Sequence, residues 1–202
     1  MYSPSYNQVE DRAELLQFLR ANNFPILVTG TGGVLHASHL PITVHEEGGQ
    51  LVIDMHMAKN NPQWQEFLDD EVMVIFSGPH AYVSPRWYAD QERVPTWNYA
   101  AVHAYGVPGI ISKNEEKLKS QRRLIESLDP EWLPKFDTLR PSYVDQMLNG
   151  IVNFSIPVTR LETRWKLSQN RGRDEMERIA AQLEKAGERA LAELTRKHCV
   201  AK

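Results

Sequence analysis

The stretch Pro25-Ile26-Leu27-Val28-Thr29-Gly30-Thr31-Gly32-Gly33-Val34-Leu35-His36-Ala37-Ser38-His39-Leu40-Pro41-Ile42-Thr43-Val44 decides between two fold classes. A short apolar run leading into clustered glycines is how a dinucleotide-binding loop begins. Such a loop needs a helix directly after it, because the helix N-terminus supplies the amides that hold phosphate. Here Pro41 interrupts the segment after the glycines, and the β-branched Ile42, Thr43 and Val44 close it, which suits a strand. The glycines therefore read as a hairpin turn, and the chain starts an antiparallel sheet, not an alternating βαβ unit.

Working outward, the same grammar repeats. Glu46-Glu47-Gly48-Gly49 is a second turn, and Leu51 to His56 is a strand with Leu51, Ile53 and Met55 on one face and Val52, Asp54 and His56 on the other. Glu71 to Ser77 reads as a buried strand. Asn98 to Ile111 reads as one long strand in which Gly106, Pro108 and Gly109 mark a bulge or an edge. The clearest strand signal is 151–167: an apolar run from Ile151 to Val158, then Leu161, Thr163, Trp165 and Leu167 alternating with Arg160, Glu162, Arg164 and Lys166. Helical spacing predicts a helix over 8–22, a short one over 62–68 opened by Pro62 with Asn61 as its N-cap, and another over 143–148. Ser112 and Glu115 are spaced as a capping box, opening a helix that runs to about residue 128. An amphipathic helix over 173–198 ends the chain. About six strands with peripheral helices imply an α+β domain around an antiparallel barrel or sandwich.

Composition narrows the function classes. A chain of 202 residues with 42% hydrophobic and 24% charged residues can bury a real core. A net charge of −3 offers no electrostatic advantage on nucleic acid or anionic lipid, and the C-terminal helix mixes both signs as a solvated face does. The lone Cys199 excludes an internal disulfide, the start lacks a secretory pattern, and no apolar run approaches the roughly 20 residues of a membrane span. The chain reads as cytoplasmic.

Two stretches carry candidate chemistry. Pro79-His80-Ala81-Tyr82-Val83-Ser84-Pro85-Arg86-Trp87-Tyr88, continued by Val94-Pro95-Thr96-Trp97-Asn98-Tyr99, mixes aromatics with small polar residues on a proline-stiffened, extended backbone. It is either a platform for a flat, polar-edged ligand or a rigid loop whose rings pack on the core. His56-Met57-Ala58-Lys59-Asn60-Asn61-Pro62 is a strand end, a polar turn and a helix start, which either holds an anion through Lys59 and free amides or is a capped helix with a solvated lysine. His36 and His39 would point to opposite faces of a strand and make a poor chelating pair. Ser84 beside His80 shows no third group for nucleophilic catalysis, and no catalytic residue is assigned.

These residues also carry a resemblance. Met1-Tyr2 with Pro4, the run His56 to Trp64, the block Pro79 to Tyr88, Val94 to Tyr99 with Val102-His103 and Gly106, and Lys166-Leu167-Ser168-Gln169-Asn170-Arg171 together resemble the PaiB family. That family comprises FMN-binding negative transcriptional regulators with a split β-barrel like that of pyridoxamine phosphate oxidases. The resemblance implies an α+β fold with an antiparallel FMN-binding split barrel over 1–172 and a C-terminal helix over 173–202 packed on the barrel or dimer. It implies a homodimer with FMN near the subunit interface, and regulation through a protein partner or through DNA, although the charge does not support direct DNA contact. Its cofactor-binding candidates are His56 and, at the phosphate end, Lys59, Asn60 and Asn61. Ser84, Trp87, Thr96, Trp97 and Asn98 are those for the ring, with Lys166 and Gln169 as further contacts. Lys59-Asn60 stands where the family pattern has Arg-Ala; lysine keeps the charge but loses the bidentate fork, so phosphate would be held more loosely or differently. A flavin-dependent oxidoreductase, and a non-flavin ligand-binding or interaction module, are the alternative functions.

Overall fold

Gly32 and Gly33 have φ of 61° and 84°, and Gly48 and Gly49 have 57° and 83°. Two successive left-handed residues are what a tight antiparallel hairpin requires, and glycine reaches them without a Cβ clash. Both glycine pairs therefore join hairpins: β1 (Ile26–Thr31) with β2 (Val34–His39), and β3 (Ile42–Glu47) with β4 (Gln50–Ala58). The structure, a computed structural model, describes residues 1–67, 70–90 and 92–199.

The remaining strands are β5 (Val72–Val83), β6 (Thr96–Gly106), β7 (Gly109–Ile111), β8 (Ile151–Pro157) and β9 (Arg160–Lys166). They form a five-stranded sheet in the order β2-β1-β5-β6-β9 and a four-stranded sheet in the order β3-β4-β8-β7. The helices are α1 (Arg12–Ala21), α2 (Asn114–Leu128), α3 (Leu133–Phe136), α4 (Pro141–Asn149), α5 (Arg173–Lys185) and α6 (Arg189–Lys197). No helix among the described residues is long and apolar enough to cross a membrane.

The antiparallel α+β class is as expected, but the strands divide more finely. The long strand expected over 98–111 is two strands in different sheets. A Cβ on Gly106 would stand 2.3 Å from the carbonyl oxygen of Pro157, so only glycine permits this close approach where β6 ends. The signal over 151–167 is likewise two strands. At the crossing, Val158 N–H donates to the Leu51 carbonyl and Thr159 N–H to the Tyr105 carbonyl, so the chain changes partners without losing backbone hydrogen bonds. β5 runs through Pro79 to Val83, further than expected.

Helix ends also shift. α1 begins at Arg12 because the Asp11 carboxylate accepts the Glu14 N–H at 2.8 Å. The capping box does not form: Lys113 occupies the N-cap of α2, without a side-chain cap, and Ser112 lies one residue outside. Asn61 does cap, accepting the Gln63 N–H at 3.0 Å, but what it opens is a 3-10 turn, Pro62–Glu66. The expected extension to Leu68 lies outside the described residues. The C-terminal helix is broken at Gly187, whose φ of 89° ends α5 before α6 begins.

The chain divides into two compact units, one of Met1–Leu15, Ser77–Val102 and Glu162–Lys202, the other of Leu16–Phe76 and His103–Leu161. The first buries Val83, Ala100, Val102, Trp165 and Leu167 together with Met176, Ile179, Leu183 and Leu191 from the apolar stripes of α5 and α6. The second buries Leu27, Ile53, Met55, Met57, Val74, Phe76, Phe154 and Ile156, with the Phe67 and Phe154 rings 4.8 Å apart. Each such Val, Leu, Ile, Met or Phe side chain contributes roughly 1.5–3 kcal/mol on leaving water.

Candidate flavin-binding residues

In the second unit, β4 ends at Ala58 and the chain turns through Lys59, Asn60 and Asn61 into the Pro62–Glu66 turn. Backbone bonds fix this turn. Lys59 N–H donates to the Gly150 carbonyl and Asn61 N–H to Ala58, while the Trp64 indole donates to the Lys59 carbonyl at 3.0 Å. Asn61 adds a bond from its amide to the Ser38 hydroxyl, and the buried Gln63 amide reaches the carbonyls of Leu27 and His36. What the turn leaves unused is the Lys59 ammonium, exposed and without a carboxylate partner among the described residues, and the Asn60 N–H. A rigid turn that presents an uncommitted cation and a free amide is suited to an oxyanion.

Just before this turn, His56 faces Asn153 across the β4–β8 register. Burial holds the His56 imidazole below its usual pKa, favouring the neutral ring. Asn153 is fully buried, and neither amide atom has a hydrogen-bond partner among the described residues. Its sequence signal was present, a polar residue inside the apolar run Ile151-Val152-Asn153-Phe154, but a run of that length does not say which polar side chain lacks a partner.

In the first unit the aromatic-proline block splits by role. Trp97 is 46% exposed and lies in a cluster with His80, centroids 5.9 Å apart and 30° between planes, and with the edge of Tyr82 at 6.3 Å. Trp87 sits half-buried in the 3-10 turn Pro85–Trp87 and makes no ring contact with Trp97. Ser84 is buried and caps that turn, accepting from the Arg86 N–H and Nε at 3.3 Å each. Asn98, fully buried, hydrogen-bonds the Ser168 hydroxyl through Nδ2 at 3.0 Å. Ser168 was outside the expected site residues; its φ of 67° marks the one described non-glycine residue in left-handed space. Gln169 shapes the same loop, accepting from Leu167 N–H at 2.7 Å and donating to the Trp165 carbonyl.

Lys166 donates to the Thr96 hydroxyl at 2.5 Å. Partial burial, with the nearby Arg164 charge, moves its pKa down from the usual lysine value. The structure thus brings together Thr96 with Lys166, and Asn98 with Ser168, as two polar pairs where β6 runs beside β9 and the loop after it. His36 and His39 go separate ways, His36 to the Glu66 carboxylate and His39 onto the Phe24 ring.

Comparison with known proteins identifies the family of the chain. The family described as "Putative FMN-binding domain" matches residues 1–160. Protease synthase and sporulation protein PAI 2 of Bacillus subtilis is 38% identical over 188 residues, covering 91% of this chain and 89% of that protein. An uncharacterised protein of Emericella nidulans is 31% identical over 216 residues, covering 86% of each chain. Among solved structures, the flavocytochrome Anf3 of Azotobacter vinelandii superposes with a TM-score of 0.61 at 17% identity, covering 78% of this chain and 68% of that one. An FAD and heme binding protein of Mycobacterium smegmatis gives 0.61 at 16%, covering 79% and 73%. At such identities the structural likeness establishes the split-barrel fold and nothing finer.

The residues present fit the cofactor that the family binds. Among the described residues, the Lys59 ammonium without a carboxylate partner, beside the Asn60 amide, has the chemistry for a phosphate, and the Thr96–Lys166 pair, in the first unit, has that for a polar ring edge. The chain belongs to the FMN-binding PaiB family, and its cofactor is FMN.

Proposed function

We propose that this protein is a cytoplasmic, homodimeric FMN-binding regulator of the PaiB type that lowers transcription through a protein partner. FMN binds near the interface of the dimer, with both protomers contributing. The phosphate is held by Lys59 with the Asn60 amide, on a turn braced by Asn61; His56 and Asn153 flank the same strand end. The ring is served by Thr96, Trp97 and Lys166, with Trp87 covering a face. Ser84, Asn98 and Gln169 act on it from the loops and strands they brace. Residues 1–172 are the flavin-binding part, and 173–202 an appendage packed on the barrel or on the dimer. The observation that carries the flavin site is the uncommitted Lys59 ammonium on a backbone-fixed turn.

The regulatory reading draws support from the Bacillus subtilis relative, named a protease synthase and sporulation protein. A net charge of −3 favours a partner over direct DNA contact. FMN, when bound, supplies reversible one- and two-electron chemistry. The Thr96–Lys166 pair also favours a second reading, a flavin-dependent oxidoreductase, because a lysine whose proton is held less tightly than usual, hydrogen-bonded to a hydroxyl, can pass a proton.

One experiment separates the two. The gene is deleted, transcripts are compared, and the strain is complemented with wild type or Lys59→Ala, while purified protein is reduced with NADPH and re-aerated. Regulation predicts derepression that wild type reverses and Lys59→Ala does not, with no sustained NADPH consumption. Sustained NADPH turnover without any transcript change would establish the oxidoreductase instead.

A further inference from the structure

The four-stranded sheet presents a polar face. The β3–β4 register sets Thr43 opposite Asp54 and His45 opposite Val52; the β4–β8 register sets Asp54 opposite Ser155. α2 packs against β3 and brings Arg123 to Asp54. That carboxylate is fully engaged. Its Oδ2 accepts Arg123 Nε and Nη2 at 3.1 and 2.5 Å, and its Oδ1 accepts the Ser155 hydroxyl at 2.6 Å.

Around this satisfied centre lie polar groups with hydrogen-bonding capacity left over. Thr43 is 7% exposed, yet its hydroxyl has no partner among the described residues. The His45 Nδ1 is buried without a hydrogen bond, 4.0 Å from Asp54 Oδ2. Arg20 on α1 gives Nε to the Val44 carbonyl at 3.4 Å, and its two terminal amino groups meet no acceptor among the described residues. Arg123 keeps one amino group unengaged among the described residues. Arg20, Thr43, His45 and Arg123, with Glu126 and Ser127, line one cleft of about 370 Å³. A buried hydroxyl without a partner is a standing loss of free energy, which a bound acceptor recovers.

We infer that this cleft binds a small organic monocarboxylate. The excess of donors calls for an acceptor with two oxygens, which the Arg20 fork takes side by side while Thr43 donates to one of them. Glu126, the one carboxylate among the described residues lining the cleft, adds repulsion that a dianion such as phosphate meets twice over and a monoanion once. The cleft shares no residue with the flavin site, so its ligand is separate from FMN and its occupancy is read independently.

The test uses the full chain loaded with FMN, titrated with a series of monocarboxylates from acetate to benzoate and, separately, with inorganic phosphate. Binding is monitored by the His45 ring signals in NMR and by calorimetry; the visible flavin spectrum of the same samples reports FMN occupancy. At least one carboxylate saturates the His45 shift and phosphate does not. Arg20→Gln and Thr43→Val each weaken that carboxylate about tenfold, the worth of one charge-assisted hydrogen bond, with thermal stability unchanged in the first and equal or higher in the second. Absence of a saturable shift with every carboxylate, phosphate binding more tightly than all of them, or unchanged affinity in both variants would each overturn the assignment.

Discussion

Asn98 on β6 and Asn153 on β8 are both fully buried, in different sheets and different units, and they differ in one respect. Asn98 has its bond with Ser168, whereas both amide atoms of Asn153 lack a partner among the described residues. Burying an amide costs free energy unless hydrogen bonds replace its water, so the same residue type stabilises in one place and burdens the fold in the other. The satisfied asparagine braces a loop held in left-handed backbone at Ser168. The unsatisfied one stands opposite His56, one strand end from the Lys59 turn, where an incoming acceptor and donor would complete it.

The largest effect expected from this contrast is at Asn98. Asn98→Ala leaves the Ser168 hydroxyl short of a partner and opens a small void, lowering unfolding free energy by about 2–3 kcal/mol in urea titrations. Asn153→Leu reverses the sign. Replacing the unpaired amide with a similar apolar volume raises the stability of FMN-free protein by about 1 kcal/mol and weakens FMN about tenfold in fluorescence titration. Loss of stability at Asn153→Leu would break the comparison, because it would mean the amide is already satisfied within the fold.

A third outcome concerns His56, which shares that strand face. Its pKa in the fold lies below the ordinary 6.5, so the unfolded chain binds more protons between the folded value and 6.5. Stability contributed by the neutral ring is therefore present above 6.5 and is lost as pH falls through 6.5 toward the folded value. His56→Gln flattens that slope in denaturation curves measured from about pH 7.5 to about 5.5; an unchanged slope would place the proton uptake elsewhere. The smallest effect is at Gln169. Gln169→Ala removes two bonds internal to its loop and costs about 1 kcal/mol, with FMN affinity changed less than about threefold.

How much of this was legible depended on the range of the interaction. The two glycine hairpins were readable because positive φ at Gly32-Gly33 and Gly48-Gly49 is a local demand that only a few residue types meet. The crossings between sheets were not. Pro157-Val158-Thr159 is as apolar and β-branched as a strand interior, and the division there is made by partners distant in sequence, Leu51 and Tyr105. The capping-box spacing at Ser112 was equally local but lost to the alternative start at Asn114.

The candidate site shows the same division. Lys59 and Asn61 were identifiable from a strand end, a polar turn and a proline, and Trp97 and Lys166 from composition and resemblance. Ser168 and Asn153 were not singled out, because what distinguishes them is the state of a hydrogen bond with a strand far along the chain. The Asp54–Arg123 pair, which organises the carboxylate cleft, joins residues that no sequence spacing relates.

Riboflavin, which lacks the phosphate of FMN, tests whether Lys59 holds that phosphate. Fluorescence-quenching titrations of wild type and Lys59→Ala with FMN and with riboflavin give four dissociation constants. The prediction is that wild type prefers FMN, that Lys59→Ala loses about ten- to a hundredfold in FMN affinity, the worth of one charge-assisted contact, and that riboflavin affinity stays the same. Equal FMN affinity in wild type and Lys59→Ala would show that Lys59 does not hold the phosphate.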